Sequence, residues 1–265
     1  MPVIALASLS GAPGVTTTVT AWAAHTTQPT LIIEADLVGG SPILAGAMAG
    51  SRPHDRSILA LAETPGALIE RLWEQAIPLP ETRDRWLVPT IAWAGQAPAL
   101  TPIWPSLGQA AATMTRDGGM DVLVDLGRLR VGEGPWPLAE AADTLILLTD
   151  ATLPAINTLA VGVEAIRDQL RATGSPHRLV IAPLHAAPGT DRAHIRPFTG
   201  AEIQAAVAPT TVLPPILYAP RHAAVYSAAR PAPWRHRNSG YVRSIRGLIT
   251  AATSHAANLA AALDV

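Results

Sequence analysis

Short continuous apolar runs alternate with longer stretches of helical spacing along this chain, and that alternation restricts the fold more than any other property of the sequence. The runs at 3–7, 30–33, 86–89, 122–124, 144–148 and 178–181 are strand-sized and lack the polar–apolar alternation of a strand with one wet face. Strands buried on both faces read this way, and helix-length segments at 16–25, 67–75, 106–115 and 154–172 separate most of them. The pattern predicts an α/β fold with a doubly wound, mostly parallel sheet flanked by helices. Ligands of such sheets bind beyond the carboxyl ends of the strands, so the residues that follow each strand carry the functional information. The length of 265 residues suits one domain over 1–265, closed by a terminal helix at 241–263. The segments 92–105 and 218–237 are rich in Pro and Trp and read as loops or surface elaborations.

Composition removes several chemistries. All 19 basic residues are Arg, so no reaction that needs a Lys of this chain is open to it. Cys is absent, which excludes disulfides, thiolate nucleophiles and zinc sites built on Cys. An apolar fraction of 49% with 15% charged residues excludes wholesale disorder. No apolar run approaches the roughly 18–20 residues of a membrane span, and Met1-Pro2-Val3-Ile4 lacks a basic leader, so a cytoplasmic protein is expected. The eight His show no paired metal-ligand spacing and read as isolated surface or helix-end residues. Trp93 and Trp104 either anchor a partner or plug the surface of the fold.

The first strand runs into Ser8-Leu9-Ser10-Gly11-Ala12-Pro13-Gly14-Val15-Thr16-Thr17-Thr18. Gly11 and Gly14 permit a tight turn, and a helix starting near Val15 or Thr16 aims its free N–H groups and positive dipole end at an anion. Taken alone, such a loop is equally the strand-to-helix turn of any doubly wound protein. The second strand ends in Glu34-Ala35-Asp36-Leu37 and a later one in Val124-Asp125-Leu126-Gly127. Each acid on its own equally caps a helix or pairs with Arg.

Together, and in this chain order, the loop and the strand-end acids resemble the ParA/MinD family of partitioning and positioning ATPases. Their deviant P-loop reads Lys-Gly-Gly-Val-Gly-Lys-Thr-Thr. Ser10 stands at the signature Lys, Gly11 and Gly14 fall on glycines, Val15 replaces the phosphate-binding Lys, and Thr16 and Thr17 match the threonines. The resemblance implies a nucleotide site at Gly11, Gly14, Val15, Thr16 and Thr17, with Mg²⁺ at Thr16, Asp36 and Asp125 and a water-activating role for Asp36. It implies ATP with Mg²⁺ as cofactors, weakened or lost because both lysines are missing. It also implies a homodimer, or a heterodimer with a related ATPase, serving a partner in a secretion, pilus, conjugation or partition system. Where family members place an adenine-contacting Asn, this chain has Ala182-Pro183, and Leu213-Pro214-Pro215 resembles the loop near the base. An active ATPase would need an Arg in place of Lys, and Arg128 and Arg130 stand nearest to Asp125 in sequence.

The segment 221–246 holds Arg221, Arg230, Arg235, Arg237, Arg243 and Arg246 and no acid, leaving 13 Arg against 20 acids, a formal −7, in the rest. These Arg are candidates for non-specific DNA binding, or else are solvated or paired within the fold. Residues 241–263 are dominated by Ala and carry no cation after Arg246, which argues against a membrane anchor.

Overall fold

The computed structural model describes residues 1–10, 13–63, 67–80, 84–186 and 197–263. Its strands are β1 (Val3–Ser8), β2 (Thr30–Glu34), β3 (Ile77–Pro78), β4 (Arg85–Val88), β5 (Asp121–Arg128), β6 (Thr144–Asp150), β7 (Leu179–Ala186), β8 (Thr211–Val212) and β9 (Ile216–Tyr218). They form one sheet in the order β3-β4-β2-β5-β1-β6-β7-β8, with β9 also on β7, and every pairing is parallel except β3 with β4. The helices are α1 (Val15–His25), α2 (Leu59–Glu63), α3 (Leu68–Gln75), α4 (Trp104–Asp117), α5 (Trp136–Ala141), α6 (Leu153–Ala172), α7 (Gly200–Val207), α8 (Pro220–Ser227) and α9 (Gly240–Leu263). The mostly parallel, doubly wound sheet expected from the sequence is present.

Strand β1 shows why the apolar runs are continuous. Val3, Ala5 and Ala7 face a core built with α2 to α7, while Ile4 and Leu6 face a second core built with α1, α8 and α9. Both sides of the strand are dry, so neither set of alternate residues can be polar. Helix α1 is itself enclosed: Trp22 is fully buried, and Arg85 on β4 closes the helix end by donating Nε–H to the Ala23 carbonyl at 2.9 Å and Nη2–H to that of Thr26 at 2.7 Å.

Two segments differ from expectation. Residues 92–105 hold a 3₁₀ segment, Ala94–Ile103, and the start of α4, and 218–237 contains α8 and a 3₁₀ turn at His236–Asn238. Proline misleads here because Pro105 and Pro220 occupy first-turn positions, where a missing N–H costs nothing. The stretch after Pro215 forms a short strand, β9, laid on β7. Among the described residues no helix is long and apolar enough to cross a membrane.

The Trp alternatives separate cleanly: Trp104 is 1% exposed in the core, whereas Trp93 is 63% exposed. Trp104→Ala should lower unfolding stability by about 3–5 kcal/mol and Trp93→Ala by less than about 1 kcal/mol, as read from denaturant midpoints at constant slope.

Candidate functional site

The carboxyl ends of β1, β2 and β5 converge where the chain leaves β1 for α1. Gly14 takes a left-handed conformation (φ +82°) at the head of α1, and no side chain caps that helix. A Cβ at Gly14 would meet nothing closer than 3.7 Å, so the backbone angle, not crowding, requires glycine. Among the described residues no side chain caps the first-turn N–H groups of α1, while the Thr18 amide closes the first helical bond to the Gly14 carbonyl at 2.9 Å. Gly11, part of the expected loop, lies outside the described residues.

Val15 is 6% exposed and packs into the α1-side core, so position 15, where the sequence resemblance would put a phosphate-binding Lys, belongs to the hydrophobic interior. Thr16 stays polar, and its hydroxyl is hydrogen-bonded to the Asp125 carboxylate. The Gly127 amide donates to Asp125 Oδ1 at 3.0 Å. Complete burial pushes the Asp125 pKa up to about 6; its two hydrogen bonds pull it down, and the nearby Asp36 charge adds to the rise. Asp36 is half-buried and also raised by burial, opposed by the Val38 amide, which donates to Oδ1 at 3.1 Å, and by the Arg128 charge. Thr90 Oγ1 donates to the Asp36 carbonyl at 2.7 Å and fixes the turn that carries it.

Glu34 stands beside Asp125 in the sheet register, yet it does other work. Its carboxylate accepts from the Ser41 hydroxyl, from the Ile43 amide at 3.0 Å and from the Thr90 amide at 3.4 Å, and burial raises its pKa to about 7. It anchors the chain that returns from β2 through a π-helical turn at Ile43–Ala47.

A cavity of about 930 Å³ opens over these groups. Gly14, Val15, Thr16, Thr17 and Asp36 line it, Asp125 lies beneath through Thr16, and Arg128, Arg130 and Glu133 form part of its wall. Arg130 and Glu133 face each other at 3.6 Å on the exposed rim. Gly127 and Glu133 are site residues that the sequence pattern did not single out. For Gly127 the available signal was a glycine two residues past a strand-end acid.

The six Arg of 221–246 lie away from this cavity on α8, α9 and the chain between, all exposed, and none forms an ion pair with the described residues. Arg235 stacks on the Trp234 ring, 4.1 Å from its centroid. The expectation of isolated His fails in this region. His25 Nε2 meets the Tyr226 hydroxyl at 2.5 Å, that hydroxyl meets His236 Nε2 at 2.8 Å, and His236 Nδ1 meets His222 Nδ1 at 2.9 Å. This chain of rings ties α1 to α8 and to the Arg-rich segment. Burial, with Arg246, His236 and Arg237 adding positive charge, lowers the His25 pKa to about 4.

No family model and no curated protein matches the sequence. Solved structures do match. The fold is that of a P-loop NTPase of the doubly wound, parallel kind, and within that class it is ParA/MinD-like. Apo McdA from Cyanothece aligns over 95% of this chain and 99% of its own at 18% identity, with a TM-score of 0.70. The MinD cell division protein of Aquifex aeolicus aligns over 98% and 97% at 13% identity and a TM-score of 0.68. The septum site-determining protein MinD of Pyrococcus horikoshii, complexed with Mg-ADP, aligns over 93% of both chains at 15% identity and a TM-score of 0.65.

Because His25 is depressed in the folded state, its contribution to stability is full above its unfolded pKa of 6.5 and is lost as pH falls toward about 4. His25→Gln should flatten that part of the stability–pH profile by about 1–2 kcal/mol after allowance for solvent screening, measured by denaturant unfolding across the interval.

Proposed function

We propose that the chain is a degenerate ParA/MinD-like positioning or partitioning factor that holds a Mg-nucleotide weakly, with little or no hydrolysis. One observation carries this reading: Thr16, Asp36 and Asp125 are gathered beneath an uncapped helix start, while the neighbouring position 15 is a buried Val. The donor set fits magnesium, which takes hydroxyl, carboxylate and phosphate oxygens. Among the described residues no group of three or more His, Cys, Asp or Glu is placed to hold a metal, so the cation would arrive with ligand phosphates.

In this reading the first-turn amides of α1 donate to phosphate oxygens, with residues 14–17 and Gly11 as the cradle. Thr16, Asp36 and Asp125 would hold Mg²⁺, and Asp36 would orient a water near the phosphate. Magnesium, when bound, neutralises phosphate charge. The missing lysines weigh more on turnover than on binding, since each absent donor to transition-state charge costs about 10²–10³ in rate.

The neighbours include an ATP complex of a Cyanothece McdA variant and a MinC:MinD complex from Aquifex aeolicus. By that likeness this chain pairs with a second copy or a related ATPase. It positions a protein partner of a secretion, pilus, conjugation or partition system. Calorimetric titration should give Mg-ATP binding stronger than binding without Mg²⁺, with phosphate release near background. Rapid release abolished by Asp36→Ala would instead establish an active ATPase.

The exposed, unpaired Arg cluster with its Arg235–Trp234 stack favours a second reading, non-specific DNA binding independent of nucleotide. Combined Arg235→Ala and Arg237→Ala should weaken duplex binding and reduce the salt slope by about 2, in fluorescence anisotropy at varied salt. Unchanged affinity would remove this surface as a DNA site.

A further inference from the structure

We infer that Arg128 is the cation of the cavity, taking the phosphate-compensating place that Val15 has given up. This inference rests on the nucleotide reading above and names the residue through which the site distinguishes ligands by their phosphate charge. Strand β5 does not stop at Asp125. It continues to Arg128 with an irregularity against β1: Leu6 pairs with Asp125, but Ser8 pairs with Arg128, so two steps along β1 match three along β5.

One extra residue in β5 reverses the facing of everything after it. Without it, position 127 would lie opposite Ser8 and Arg128 would turn to the other side of the sheet. With it, Arg128 shares the register of Ser8, the residue that enters the phosphate-type loop, and the residue lines the cavity.

The irregularity is built around Gly127. Its φ of +56° suits glycine, and a Cβ there would lie 2.1 Å from Asp36 Oδ2, so no other residue fits beside that carboxylate. Ser8 Oγ donates to the Gly127 carbonyl at 3.4 Å and the Leu129 amide to the Ser8 carbonyl at 2.9 Å, holding Arg128 between two fixed neighbours.

Position distinguishes Arg128 from Arg130. The formal charges on the cavity wall among the described residues are Asp36, Glu133, Arg128 and Arg130, and Arg130 faces Glu133 out on the exposed rim. Arg128 acts on Asp36, at the centre of the acid cluster. Without it the wall has no cation outside the rim pair, and the buried Asp125 would add to repulsion of a polyanionic ligand.

The test is calorimetric titration of the full chain with Mg-ATP, ADP and AMP, for wild type, Arg128→Ala, Arg128→Gln, Arg128→Lys and Arg130→Ala, with thermal unfolding of each free protein as the folding control. Arg128→Ala and Arg128→Gln should weaken Mg-ATP by about ten- to a hundredfold, with a smaller loss for AMP. Arg128→Lys should stay within about fivefold of wild type and Arg130→Ala within about threefold. Wild-type affinity in folded Arg128→Ala and Arg128→Gln, or equal losses for all three nucleotides, overturns the role of Arg128 and leaves the nucleotide site standing. No binding of any nucleotide by the wild type overturns the nucleotide reading itself.

Discussion

The wholly buried carboxylate of Asp125 is the constraint on which the site depends. A charge out of reach of water is costly unless donors surround it, and here they come from the first turn of α1 and from the chain just past the acid. The Thr16 hydrogen bond ties the helix start to β5, and the Gly127 amide holds the carboxylate from within β5 itself. A protein selected for stability alone would fill this place with an apolar side chain, whereas costly, titration-shifted acids concentrate at functional sites.

The architecture was legible because strands β1, β2, β5 and β6 are dry on both faces and therefore spell uninterrupted apolar runs. Strands β3, β8 and β9 were not, since two or three residues cannot carry a pattern. Helix α8 was hidden by its prolines. Within the site, Thr16, Asp36 and Asp125 could be singled out because each comes after an apolar run of the sequence. The aim of Arg128 could not, because it turns on one inserted residue of β5 that changes facing without changing composition. The ring chain of His25, Tyr226 and His236 was beyond reach for a simpler reason: its first link spans 201 positions of sequence.

Val15 and the Arg-rich segment mark opposite ends of the charge pattern. The interior at the head of α1 is hydrophobic, while exposed cations lie on α8, α9 and their connection. With no Lys anywhere, the basic side chains apart from His are all planar guanidiniums, which favours forked, two-point recognition over a mobile point charge.

The anchorage of α1 has a mechanical consequence. Its far end is gripped by Arg85 through two carbonyls and tethered to α8 through His25, so the helix is mounted like a post set in its socket. A rod of 11 residues, about 16 Å long, cannot slide or tilt without tearing those fastenings. Any accommodation of an occupant at the other end must therefore come from the facing wall, the chain past β2 and β5, whose compliance sets how closely an arrival is gripped.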